Sequence, residues 1–283
     1  MAITSDWHIH THCSCDSACM EFETLINDAK KYGITDFGVT DHYHTRLQEK
    51  DIAASRAEYE RALERHPELK GRFHFGVEVT PMSQWEVNKI ARGEYVEPPV
   101  YGFRHGGPAN APVVLDFDDD FIEKYKIEYV VTGMHWPMYC ATDVQSMLKE
   151  YHRQYMFAAT HPYTDILAHY TWYDVNVYPQ VENPFMDFSR VSESMRSELK
   201  HALLENNVAL ELNRGMLEEL KLGTLPQTFI DEYLGWFADM QRSGVVIAQG
   251  CDAHKKDLSF VDYEGIAKIY EHYGIDTDKF FCL

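Results

Sequence analysis

Seven short runs rich in β-branched and aromatic residues recur along the chain, separated by longer stretches with helical periodicity, and this alternation constrains the fold most. The runs are residues 3–8, 36–40, 73–79, 129–133, 166–169, 209–213 and 245–249. The intervening stretches, 21–32, 51–65, 144–158, 193–205, 227–241 and 263–272, place apolar residues at i, i+3, i+4 spacing, as Leu25, Ile26 and Ala29 do. Gly33 and Gly274 follow two of these stretches and read as helix stops. Strand alternating with helix implies βα units and a mostly parallel sheet. About seven such units fit a closed β/α barrel better than an open sheet. One segment breaks the rhythm. Residues 82–120, after the third run, carry Pro98-Pro99, Gly106-Gly107-Pro108 and Asp118-Asp119-Asp120 and read as an irregular insertion over one barrel end. The whole chain, 1–283, reads as one domain.

Histidines and carboxylates fall at the ends of these runs, one group after another. His8 and His10 end the first; residues i and i+2 of a strand point the same way, so both imidazoles can reach one metal ion. Asp41 and His42 follow the second, Glu78 ends the third, His135 follows the fourth, His169 ends the fifth, and Asp252 and His254 follow the last. Taken singly, each has an ordinary explanation: a chance His-x-His, a helix cap, a loop carboxylate, a surface histidine. Their joint occurrence at successive strand ends does not, because in parallel β/α folds those ends converge on one face. Imidazoles with carboxylates suit zinc, manganese or iron. So many donors exceed the needs of one ion and imply two or three divalent cations bridged by a carboxylate.

His8-Ile9-His10-Thr11, Thr40-Asp41-His42, Gly76-Val77-Glu78, a histidine after the fourth run, Ile166-Leu167-Ala168-His169 and Cys251-Asp252-Ala253-His254 together resemble the ordered motifs of the PHP (polymerase and histidinol phosphatase) family, over nearly the whole chain. Leu210-Glu211-Leu212-Asn213, a long helix and then Gly250-Cys251-Asp252 are similar to its histidinol-phosphatase branch. The resemblance implies a distorted (β/α)7 barrel with a trinuclear site. Carried onto this sequence, His8, His10, Glu78 and Asp252 hold one metal; Glu78 bridges to a second, completed by His135 and His169; Asp16, His42 and His254 hold a third. His161, in Thr160-His161-Pro162, is the alternative to His169 or else faces substrate; His169 is preferred because the apolar run leads directly into it. Asp41 is expected to support a ligand imidazole. The implied reaction is hydrolysis of a small phosphomonoester by water that the metals activate, with Glu78 and Asp252 holding metals and orienting the nucleophile, and L-histidinol phosphate as the best single substrate. An arginine should clamp the phosphate, and Arg153, Arg190 and Arg214 are the candidates.

The formal net charge of −19 disfavours long-range attraction to nucleic acid, while bound cations at one site still admit a small anion. No apolar run is long enough to span a bilayer, and the first residues lack a signal-peptide pattern, so a cytoplasmic enzyme is expected. Cys13, Cys15 and Cys19 cluster, but they read as reduced thiols in a loop before they read as a zinc site. Other phosphate esters, nucleotides or sugar phosphates among them, suit the same ligand set. A metal-dependent amidohydrolase or lactonase is the alternative chemistry; such enzymes usually carry a metal-bridging lysine or other carboxylated group, and no lysine ends an expected strand here.

Overall fold

The computed structural model describes residues 2–94, 106–173, 182–215 and 225–283. In chain order these form β1 (Ser5–Asp6), α1 (Phe22–Tyr32), β2 (Asp36–Val39), β3 (His42–Tyr43), α2 (Glu49–Arg65), β4 (Phe73–Val79), β5 (Met82–Ser83), α3 (Gln84–Ala91), β6 (Val113–Val114), α4 (Asp119–Tyr125), β7 (Tyr129–Thr132), α5 (Val144–Thr160), β8 (Ile166–Leu167), α6 (Glu193–Asn206), β9 (Ala209–Asn213), α7 (Gln227–Arg242), β10 (Ile247–Gly250) and α8 (Tyr263–Tyr273). The main sheet runs β1-β2-β4-β7-β8-β9-β10, every neighbouring pair parallel. Backbone bonds join its two edges: Trp7 N donates to Gln249 O (2.9 Å), Asp252 N to His8 O (2.7 Å) and His10 N to Ala253 O (3.1 Å). The ring is therefore closed, and the expected seven-stranded β/α barrel is what forms. Its distortion lies at the second position: β2 pairs with the first half of β4, the chain steps aside, and β3 pairs with the second half, setting His42 opposite Glu78.

Alternation along the strands sorts residues between two layers. On β4, Phe73, Phe75, Val77 and Val79 join the large core beneath the helices, while His74, Gly76 and Glu78 occupy the other face, toward the barrel interior. A separate interior cluster holds Trp7, Tyr129, Val131, Ile166, Ala168, Ala209 and Ala248. Helix boundaries follow local chemistry. Gly33 closes α1 in the left-handed conformation (φ 75°), Asp143 accepts from Ser146 N to start α5, and Ser192 accepts from Met195 N to start α6.

The described part of segment 82–120 is more regular than its composition suggests. β5 and β6 pair antiparallel, and Ser83 caps α3, which buries Val87 and Ile90 one turn apart. The acidic triplet, expected to mark a loop, is a helix start: Asp118 accepts from Phe121 N, and Asp119 and Asp120 occupy the first turn of α4, where carboxylates suit the helix dipole. Tyr95, Tyr101, Phe103, Arg104 and His105, which the sequence offers for packing this segment onto the barrel or else for facing a substrate ring, lie outside the described residues. Among the described residues, no helix is long and apolar enough to cross a membrane.

Candidate metal centre

The C-terminal strand ends bring all nine expected ligands to one place. Glu78 is central and fully buried. Its Oε2 lies 3.3 Å from His8 Nε2, 3.4 Å from His10 Nε2 and 2.7 Å from His42 Nδ1. Its Oε1 lies 3.2 Å from His135 Nε2 and 2.9 Å from His169 Nε2. One carboxylate thus faces two separate imidazole groups, as a bridging ligand must. Asp252 Oδ1 stands 3.2 Å from His10 Nε2 and 3.6 Å from His8 Nε2. Asp16 Oδ2 stands 3.2 Å from His42 Nε2 and 2.5 Å from His254 Nε2.

A cation fits this donor set on three observations. Donor atoms of His8, His10 and Asp252 lie within 4.8 Å of one another, as do those of His10, His42 and His254, and those of His42, Glu78 and His135. Three imidazole nitrogens crowd Glu78 Oε2 without a hydrogen bond of good geometry, an arrangement that one cation among them would satisfy. His8 Nε2 and His10 Nε2 approach to 3.1 Å while His8 Nδ1 donates to Glu211 Oε1 (2.7 Å), so once Nε2 gives up its proton to a cation the remaining proton of His8 stays on the far side and its lone pair faces the cluster. His10 and His42 each reach two of the three groups, so the groups form one continuous cluster.

Protonation follows from the same crowding. Burial opposes ionisation of Glu78, but His42, His135 and His8 outweigh it and hold the carboxyl well below its ordinary range. Asp252 is depressed likewise: burial raises it, and His8 and His10 lower it more. His10 is pushed down to about 3 by burial and by its neighbours His42 and His254, and His135 down to about 4 by burial. His8 and His42 go the other way: burial lowers both, yet Glu211 and Glu78 raise His8 well above its usual value, and Glu78 and Asp16 raise His42 to about 10. A cation entering here displaces protons from these two rings.

The backbone is shaped around the cluster. His169 (φ 30°) and Asp252 (φ 51°) both occupy the left-handed region that residues with side chains avoid. A methyl group at Gly133 would collide with Glu78 Oε1 and the His169 ring, so only glycine lets β7 pass this close.

The expected substrate-binding residues scatter. Arg214 follows β9, is buried, donates from Nε to Cys251 O (3.3 Å) beside Asp252, and lies over the Phe260 ring. Arg153 clasps Glu150 through Nε and Nη2 and donates to Ala111 O (2.9 Å), tying segment 82–120 to α5. Arg190 pairs with Glu182 (2.7 Å). His161 ends α5 where the chain enters β8, at the strand's N-terminal end and opposite the cluster; its ring lies near Phe157 and Tyr163. Asp41 supports the backbone instead of an imidazole: it accepts from Thr11 N (2.5 Å) and Thr11 Oγ1 (2.7 Å), pinning the chain just after His10.

Two supporting groups escape the sequence reading. Glu211, besides holding His8, accepts from His169 N (2.5 Å) and from Asn213 Nδ2 (3.2 Å). Thr80 touches both His44 and His135. The available signal was period two: Glu211 and Asn213 alternate with Leu210 and Leu212, and Thr80 follows Glu78 on the same side of its strand. All six cysteines are free, and none belongs to the groups of described residues able to hold a metal.

Known proteins add context. The chain is similar to a histidinol phosphate phosphatase from Lactococcus lactis subsp. lactis, solved with zinc, L-histidinol and phosphate: the TM-score is 0.62 and the identity 15%, covering 96% of this chain and 94% of that one. It is similar also to a protein of Listeria monocytogenes assigned as a histidinol phosphatase, with a TM-score of 0.56 and 12% identity over 95% of this chain and 99% of that one. At such identities the likeness speaks for the barrel. No curated protein matches the sequence significantly. A family model described as the PHP domain matches residues 6–215, well over half the length, and the chain belongs to that family.

Proposed function

We propose that this protein is a metal-dependent phosphoesterase acting on a small phosphomonoester, with L-histidinol phosphate as the first substrate to try. The observation that carries the reading is the Glu78 carboxylate, buried between two imidazole groups with one oxygen turned to each. In this reading His8, His10, Glu78 and Asp252 hold one divalent ion, zinc, manganese or iron. Glu78 with His135 and His169 would hold a second ion, and Asp16, His42 and His254 would hold a third. Bound cations supply Lewis acidity, acidifying water and offsetting phosphoryl charge. The chain's own part is to place them: Glu211 fixes the His8 tautomer, and Asn213 Nδ2, 3.3 Å from Asp252 Oδ2, steadies that carboxylate. Arg214 is the candidate cation nearest the Asp252 loop and would meet a phosphate oxygen there. A charge of −19 supports a small substrate over a nucleic acid, and the protein of Lactococcus lactis, solved with L-histidinol and phosphate, supports the choice of first substrate.

The test is phosphate release from a panel of phosphomonoesters, including L-histidinol phosphate, nucleotides and sugar phosphates, by metal-loaded enzyme beside Asp252→Asn. Selective turnover that the variant loses is expected. If metals are bound and no ester releases phosphate, the phosphatase reading is wrong, and amides and lactones become the substrates to try.

A further inference from the structure

Among the described residues, seven histidines are buried, and His44 is the one beside the cluster that the ligand set does not use. It lies against His42 (ring centroids 4.8 Å apart), His135 (5.3 Å) and Trp136 (5.3 Å). Its Nδ1 is 2.7 Å from Thr80 Oγ1, and the same oxygen is 2.8 Å from His135 Nδ1. Thr80 is itself 1% exposed.

A hydroxyl has one proton to give. His135 turns Nε2 toward Glu78, 3.2 Å away, and to hold a cation there Nε2 must offer its lone pair. The His135 proton then sits on Nδ1 and is donated to Thr80 Oγ1. The Thr80 proton is left to point at His44 Nδ1, which accepts it. The directions along the chain His135, Thr80, His44 are thereby set end to end. Thr80 stands two residues beyond Glu78, so one stretch of chain places both the bridging carboxylate and the hydroxyl that turns His135 toward it.

We infer that Thr80 is a positioning residue which fixes the tautomer and ring orientation of His135 for metal binding, and that His44 supports it by accepting the hydroxyl proton. The inference rests on the proposed metal site and is independent of the substrate. A hydroxyl here replaces the carboxylate or carbonyl that commonly orients a metal-bound imidazole, and losing such a partner weakens metal affinity about 10- to 100-fold.

The experiment is competitive zinc titration of wild type, Thr80→Val, Thr80→Ser and His44→Phe, with thermal unfolding of each in chelator. Thr80→Val keeps the shape and removes the hydroxyl. It is expected to weaken the ion that His135 would hold about 10- to 100-fold, with unfolding in chelator little changed. Thr80→Ser should restore affinity to within a few-fold, and His44→Phe should cost less than Thr80→Val. In the zinc-loaded protein, NMR should show the His135 Nδ1 proton as a slowly exchanging imidazole signal, present with Thr or Ser at position 80. Should Thr80→Val fail to fold, that signal in wild type and Thr80→Ser decides the matter, and its absence from both overturns the inference. A folded Thr80→Val that holds zinc as tightly as wild type also overturns it. Wild type that holds no zinc at all overturns the metal reading instead.

Discussion

Rings fill the barrel at the N-terminal ends of its strands; ionisable groups fill it at the C-terminal ends. At the first end, Trp7 meets Tyr129 edge to face (5.5 Å, 84°) and Phe281 likewise (5.4 Å, 87°). Each polar atom of this plug has a partner: Tyr129 donates to Trp7 O (3.0 Å) and Trp7 Nε1 to Phe281 O (2.9 Å). Gly38 and Gly76 leave the space that the Tyr129 ring occupies. At the other end Glu78 Oε2 is buried without a hydrogen bond of good geometry, and His169 and Asp252 hold left-handed backbone, which costs on the order of 1 kcal/mol or more each. One end is satisfied within itself and stabilises the barrel. The other is left for a bound cation to satisfy, on the function proposed above.

The strongest attempt to break that contrast exchanges one residue at each end. Glu78→Gln keeps the volume and removes the charge that both imidazole groups face. On the proposed function, phosphate release should fall on the order of 10³-fold, the scale of removing one preorganised electrostatic group, and bound metal should fall with it. In chelator the loss of a carboxylate that His42, His135 and His8 hold below its ordinary range should lower Tm, but by less than Tyr129→Ala does. Tyr129→Ala should do the reverse. Emptying a buried aromatic site costs about 3–5 kcal/mol, a fall in Tm on the order of 10 °C, while the folded protein still retains its metals. Thermal unfolding with and without chelator, beside metal analysis, reads both. If Glu78→Gln lowers Tm in chelator as far as Tyr129→Ala does, the two ends share their roles and the contrast is lost.

The same division explains what the sequence disclosed. Barrel and helices were legible because each depends on short-range pattern: apolar residues at helical spacing, and strands bounded by charged or glycine-bearing turns. The cluster was legible because its donors are rare residue types recurring at one structural position. Residues whose role depends on direction were not. Asp41 neighbours His42 in sequence, but its carboxylate turns to Thr11. Arg153 is a free cation on paper and is engaged by Glu150, three residues before it on the same helix. Asp118, Asp119 and Asp120 look like a loop because carboxylates favour turns, yet a helix N-terminus wants the same residues. Glu211 hid inside an apolar strand, where its burial depends on His8 and His169 arriving from other strands.

The smallest expected effect tests whether the stable end carries any titrating support of its own. Glu128, at the foot of β7, accepts from His74 Nδ1 (2.8 Å), Phe75 N (3.2 Å) and Tyr59 OH (3.1 Å). Burial raises its carboxyl, but the bonds from His74 and Phe75 outweigh this and bring it below the usual glutamate value of 4.5. A depressed carboxyl stabilises the fold at pH above its unfolded value, because there the folded chain keeps a favoured charge. That contribution is lost as pH falls from about 4.5 through the lower folded value. With 39% of the side chain exposed, solvent screening limits the gain to about 0.5 kcal/mol. Glu128→Gln should therefore lower stability slightly at pH 7 and leave it nearly unchanged at the acid end of that window, as read by denaturant unfolding at several pH values in chelator. A difference between variant and wild type that grows toward acid pH would place the titrating support elsewhere and leave the aromatic plug alone to hold this end of the barrel.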